Sequence, residues 1–178
     1  MTQLEIEFKT LLSEAQFNQM MESFKHAKVI KQINHYYQYS DPTVYISCRI
    51  RTLEHTHTLT FKQDHPEGRL ETDFKDVDEN AFERADVKEF LNRNNLTKSF
   101  KSIGSLLTYR KLIKEDHLEI CIDKNHYLGK VDYELEVESI DSPTMTEQRF
   151  NELCEQFDIK DKVSISKYKR FLNQKGLK

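Results

Sequence analysis

Glu5, Glu7 and Lys9 stand at alternate positions in the run Glu5-Ile6-Glu7-Phe8-Lys9. Side chains alternate across a β-strand, so two carboxylates and an amine would share one face, with Ile6 and Phe8 on the other. Hard oxygen donors beside an amine suit a divalent cation and a phosphate better than a core. The same period recurs along the chain. Arg49 and Arg51 oppose Ile50, and Thr60 and Lys62 oppose Leu59 and Phe61. Arg69, Glu71 and Asp73 line up, as do Thr108 and Arg110. Glu119 and Asp123 oppose Ile120 and Ile122, and Asp132, Glu134, Glu136 and Glu138 oppose Val131, Tyr133, Leu135 and Val137. One such pentad alone reads as an edge strand with a solvated face. Its recurrence on segment after segment needs another account.

The elements that must carry these residues are mostly strands, expected near 4–9, 34–40, 44–52, 57–63, 69–75, 103–113, 117–123 and 131–138. Helices are fewer. Residues 13–26 carry Phe17, Met20, Met21 and Phe24 at helical spacing, with Ser13 and Gln16 placed as a capping box. Residues 79–94 repeat the pattern with Phe82, Ala85, Phe90 and Leu91 and stop at Asn94 and Asn95. A third helix follows Pro143, with Thr144 and Glu147 as its capping box and Phe150, Leu153, Cys154 and Phe157 as its stripe. A short basic helix or turn is expected over 165–174.

Two architectures hold such strands. An open antiparallel sheet would bury its apolar face under the helices and leave the charged one in water, the reading that composition alone favours. A closed barrel would turn the ionic faces inward and remove the exposed edges. A bore lined by both signs is costly unless its charges are paired or neutralised by a ligand. The matching ligand is a polyanion with a divalent metal, cations holding phosphates and carboxylates holding the metal.

The 178 residues suit a single domain over 1–178 with a core that needs no disulfide or structural metal. Eleven Phe and eight Tyr argue against disorder despite 32% charged residues. A net charge of −3 excludes a polybasic nucleic-acid binder, so no nucleic-acid partner is expected. The N-terminus lacks a signal-peptide pattern and no segment reaches the length of a membrane span, so neither export nor membrane association is expected. Cys48, Cys121 and Cys154 are odd in number and form no CxxC, which points to a reducing, cytoplasmic setting.

Glu5-Ile6-Glu7-Phe8-Lys9 resembles the N-terminal ExExK signature of the CYTH family, the triphosphate tunnel metalloenzymes. The resemblance runs along nearly the whole chain: Arg49 and Arg51 are similar to the family's arginine pair, Lys62 to its strand lysine, and Arg69 and Glu71 to its charged strand before the long helix. Arg110 resembles the arginine of the second half, Asp123 an acidic strand end, Glu134 and Glu136 the second ExE pair, and Lys167 the C-terminal lysine. The fold this implies is α+β, a closed eight-stranded antiparallel β-barrel with helices packed outside.

The roles implied agree with the residue chemistry. Glu5, Glu7, Glu134 and Glu136, with Asp123 and Glu71 as further candidates, would hold Mg2+ or Mn2+. Arg49, Arg51, Lys62, Arg69, Arg110 and Lys167 would hold phosphate oxygens. Lys9 would act near the attacking water, as a base if its pKa is depressed. The activity implied is hydrolysis of inorganic triphosphate, a nucleoside triphosphate or thiamine triphosphate. A class IV-type adenylyl cyclase and a non-catalytic triphosphate-binding module are the alternatives, and the protein would be a monomer or homodimer.

Other candidates are weaker. His55, His57 and His65 lack an acidic or thiolate partner at fixed spacing and read as exposed histidines. Tyr36, Tyr37, Tyr39 and Phe100 could stack a base or thiazole at a tunnel mouth, though barrel packing suits most of them better. P-loop, dinucleotide and serine-hydrolase motifs are missing.

Overall fold

The computed structural model describes residues 2–163 and 165–177. Eight strands are present: β1 (Thr2–Leu12), β2 (Val29–Tyr39), β3 (Ser47–Leu53), β4 (Thr56–His65), β5 (Gly68–Lys75), β6 (Phe100–Glu115), β7 (Leu118–Tyr127) and β8 (Lys130–Ser139). They form a closed barrel in the order β1-β5-β4-β3-β2-β6-β7-β8. Every pairing is antiparallel, and β1 closes the ring by pairing β5 through its first half and β8 through its second. Strand alternation then sends one set of side chains into the bore and the other outward.

The outward set makes two cores with the helices. Helix α1 (Glu14–Ser23) starts at the expected capping box, Ser13 accepting from the Gln16 amide while the Gln16 side chain accepts from Ser13. It buries Phe17 and Met20 with Ile120, Ile122, Leu135 and Val137 of the barrel wall, beside Phe150, Leu153 and Phe157 of α3 (Pro143–Gln156). Each such side chain contributes about 1.5–3 kcal/mol when fully buried. The capping box expected at Thr144 and Glu147 does not form. The helix starts at Pro143, where a ring at the first helical position needs no amide partner, so Thr144 already lies inside the first turn.

The helix expected over 79–94 is broken into a 3-10 turn (Ala81–Glu83) and α2 (Ala85–Arg93), with Arg84 extended between them at φ −60° and ψ 140°. The break lets both halves reach one ring: Phe61 of β4 meets Phe82 at 6.4 Å and Phe90 at 5.0 Å.

Helix α4 (Lys167–Lys175) behaves differently from the other three. Its Tyr168, Phe171 and Leu172 pack with Tyr36, Leu106 and Tyr127. Those three share strand phase with bore residues, so α4 fills one end of the barrel. Gly104 makes room for it, since a Cβ there would lie 2.9 Å from the Phe171 ring.

Candidate active site

Strand β1 points Glu5, Glu7 and Lys9 into a cavity of about 160 Å³ inside the barrel. Facing them are Arg49 and Arg51 of β3, Lys62 of β4, Arg69 and Glu71 of β5, Arg110 of β6, Glu136 and Glu138 of β8, and Lys167 of α4. Seven cations therefore meet five carboxylates, and this excess of positive charge suits an anionic ligand. Register explains the meeting: Glu5 lies opposite Arg69, Glu7 opposite Glu138, Lys9 opposite Glu136 and Lys62 opposite Glu71. Asp123 and Glu134 do not line the cavity. They lie behind its wall, at 0% and 1% exposure.

Two acidic groups form, and they differ in what neutralises them. Asp123, Glu134 and Glu136 bring carboxylate oxygens within 4.8 Å of one another. The Lys167 ammonium sits among them, 2.9 Å from Asp123 and from Glu136 and in contact with Glu134. Arg110 adds two hydrogen bonds to Asp123, at 2.9 and 2.7 Å, and one to Glu136 at 2.5 Å. Arg170 closes the far side with two bonds of 3.0 Å to Glu134 and one of 3.0 Å to Asp132. Burial pushes the Glu136 carboxyl up, but Lys167, Arg110 and Lys9 outweigh it and hold it well below the usual carboxylate range. Here protein cations already do the work of a metal.

The second group is Glu5, Glu7 and Glu138, whose oxygens also lie within 4.8 Å of one another and border open cavity. Lys62 contacts Glu5, and Lys9 lies 2.6 Å from Glu7. Glu138 has no such partner among the described residues. Burial pushes its carboxyl up to about 7, with Arg110 opposing and Glu5 and Glu136 adding to the rise. Three hard oxygen donors bordering open cavity, one of them without a cationic partner among the described residues, fit a divalent cation such as Mg2+ or Mn2+. Sequence reasoning passed over Glu138. Its signal was the third step of the Glu134-Glu136-Glu138 alternation, which places it beside Glu7.

The opposite wall is cationic. Arg49 and Arg51 share the inward face of β3, and among the described residues no carboxylate pairs with either guanidinium. Arg49 Nε is buried without a partner, while Arg51 Nε donates to Asn34 Oδ1 at 3.0 Å. Burial, then the neighbouring charges of Arg49 and Arg110, lower the Arg51 guanidinium to about 10. An anion between the two would relieve that repulsion and satisfy the orphaned donor. Lys62 is drawn instead to Glu5 and, at 2.5 Å, Glu71, and Arg69 lies 3.8 Å from Glu7 and 3.4 Å from Asp64.

Arg170 is a second residue that sequence reasoning missed; it lies three places after Lys167, on the same helical face. His55 and His57 sit exposed at the β3–β4 hairpin, His57 meeting Thr52 at 3.0 Å. Tyr37 and Tyr39 pack on Phe82 and Phe100 and leave the bore to Tyr36, which lines the cavity.

Fold and site together define an ion-lined tunnel, a closed antiparallel barrel whose bore sets an acidic trio against an unpaired arginine pair. The CYTH domain model matches residues 3–172, and the chain belongs to that family. It is 28% identical over 184 residues to a Bacillus subtilis protein named "Putative triphosphatase YjbK", covering 97% of this chain and 96% of that one. Among solved structures, a Bacillus halodurans protein described as a "putative adenylate cyclase" is 30% identical, with a TM-score of 0.83 over 96% of this chain and 98% of its own. A Hippeastrum protein, HpAC1, described as a "putative adenylyl cyclase" with a dominant triphosphatase activity, shares the fold at 15% identity and a TM-score of 0.74, covering 98% and 96% of the two chains. Among the described residues no helix is long and apolar enough to cross a membrane.

Proposed function

We propose that the protein is a metal-dependent triphosphatase that hydrolyses the terminal phosphoanhydride bond of a triphosphate. The observation that carries this is the arrangement of Arg49 and Arg51, without carboxylate partners, on the wall facing Glu5, Glu7 and Glu138. Mg2+ or Mn2+ bound by those three carboxylates would neutralise charge on the phosphoryl oxygens. Arg49 and Arg51 grip phosphate oxygens with forked hydrogen bonds, and Lys62, Arg69 and Arg110 complete the cationic wall. Water oxygen bonds to the terminal phosphorus as its proton passes to a phosphoryl oxygen. The bridging P–O bond breaks with its electrons going to the leaving diphosphate, and orthophosphate and a diphosphate leave. Positioning and charge neutralisation supply most of the acceleration such a transfer needs.

Lys9 lies 2.6 Å from Glu7 and 3.6 Å from Glu136. Anchored between those two carboxylates, Lys9 is placed to donate a hydrogen bond to the water or the terminal phosphate. Lys167, in the cavity wall 2.9 Å from Glu136, holds that carboxylate in place, and Asp123 fixes Lys167 and Arg110 from behind. The three buried, free thiols fit a reducing cytoplasm.

A cyclase reading is favoured by the Bacillus halodurans relative. It keeps the cations and changes the nucleophile to a ribose hydroxyl attacking the α-phosphorus. Incubation with ATP or inorganic triphosphate and Mg2+ or Mn2+, followed by product separation, decides between them. Orthophosphate release supports hydrolysis; cyclic AMP with pyrophosphate would replace that reading by the cyclase.

A further inference from the structure

Tyr45 is 47% exposed, yet its surroundings are not those of a stray surface ring. Ile46 and Cys48 are buried in the outer core under α2, whereas Ser47 and Arg49 face the cavity. Tyr45 itself lies two residues before β3 begins, outside the cavity lining and near Ser47 at its rim. Its ring meets that of Tyr168, a cavity-lining residue, edge-on at 6.3 Å. Tyr168 is itself fixed, its hydroxyl donating to the Tyr37 carbonyl at 3.1 Å and its ring standing 5.3 Å from Tyr36. Lys169 Nζ lies 5.9 Å from the centre of the Tyr45 ring and places a further cation at the same rim.

We propose that Tyr45 is the stacking platform for the aromatic base of a nucleoside triphosphate whose phosphates lie in the bore. Four residues separate Tyr45 from Arg49, a span of at most about 13 Å. That length accommodates a ribose and the first phosphate between a base on Tyr45 and terminal phosphates at the arginine pair. An aromatic ring accepts the π-face of any base, and Tyr168 meets this ring edge-on while nearly half of the Tyr45 side chain stays exposed. Inorganic triphosphate would fill the bore without reaching the rim. Tyr45 thus sets which triphosphates bind well and leaves the reaction to the bore. The inference rests on the triphosphatase reading.

The test compares ATP with inorganic triphosphate in the wild type, Tyr45→Ala and Tyr45→Phe. Tyr45→Ala is expected to raise KM for ATP about tenfold, as loss of one base–aromatic stack does. Tyr45→Phe should keep the wild-type value, and both variants should hydrolyse inorganic triphosphate within about twofold of the wild-type rate. Equal effects of Tyr45→Ala on the two substrates, or no effect on ATP, would overturn the platform. So would a wild type that turns over inorganic triphosphate but does not bind ATP. A wild type that hydrolyses neither compound sinks the catalytic reading instead. Calorimetric titration with ATP and with inorganic triphosphate then still reads the platform, which requires Tyr45→Ala to weaken ATP alone.

Discussion

Arg110, in the cavity wall, holds Asp123 behind it through two parallel hydrogen bonds of 2.9 and 2.7 Å. The pair separates two acidic groups of nearly equal geometry into different roles. Asp123, Glu134 and Glu136 are saturated by Arg110, Lys167 and Arg170, while Glu5, Glu7 and Glu138 keep oxygens turned to open space. One group builds the wall and the other is free to take a cation.

Removing the carboxylate charge at Glu138 should therefore abolish the metal response and spare anion binding. In Glu138→Gln, Mg2+ or Mn2+ should no longer raise the melting temperature, whereas inorganic triphosphate without metal still should. Activity is expected to fall about a hundredfold, at least what loss of a ligand's supporting contact costs. A variant that kept its metal-dependent thermal shift would remove Glu138 from the ligand set.

The strands and the site's general position were legible because the barrel wall imposes a strict period of two. Glu136 and Lys167 announced themselves by residue type, but which acidic trio stays free depends on where Arg110, Lys167 and Arg170 arrive from distant elements. No local pattern encodes that meeting. The same holds for α4, whose Tyr168 and Phe171 stripe reads like that of any surface helix until Gly104 and Tyr36 supply the inner surface it fills. Arg84 escaped for a related reason: its extended backbone serves Phe61, more than twenty residues away.

On the cationic wall, Arg51→Ala should weaken triphosphate binding by about 1.5–3 kcal/mol, the worth of a hydrogen bond to a charged group. Titration calorimetry checks it, and Arg51→Lys should recover only part of the loss because an ammonium cannot make the forked contact. Full recovery by lysine would mean that Arg51 acts only as a point charge. The melting temperature should hold or rise in Arg51→Ala, since the residue lies in like-charge repulsion with Arg49.

Breaking the wall itself is a matter of stability. Asp123→Ala leaves Arg110 buried without its main partner and should cost about 3–5 kcal/mol in denaturant unfolding. Replacing both members by apolar residues, as Arg110→Met with Asp123→Leu, should cost clearly less. Burial raises the Asp123 carboxyl, but Arg110 and Lys167 win and hold it below its ordinary value. A depressed folded-state pKa stabilises fully above the unfolded carboxylate value of about 3.9 and loses that contribution as pH falls through the folded value. Wild-type unfolding should show this acid-side loss below about pH 4, and Asp123→Asn should flatten it.

Gly68 ties the hairpin between β4 and β5 to the end of β1 that carries Glu5. It has φ +153°, and a Cβ there would stand 2.5 Å from the Glu5 carbonyl oxygen. Backbone cannot yield as a flexible side-chain tip can, so Gly68→Ala must push β1 away or break the pairing of Glu5 with Arg69. The strain should lower stability by about 1–3 kcal/mol. Because the clash falls on Glu5, a proposed metal ligand, the loss should not be confined to stability. The concentration of Mg2+ needed for half-maximal activity should rise, while KM for triphosphate at saturating Mg2+ changes less. A melting point lowered with an unchanged Mg2+ dependence would show that Gly68 serves the hairpin alone and leaves Glu5 where it is.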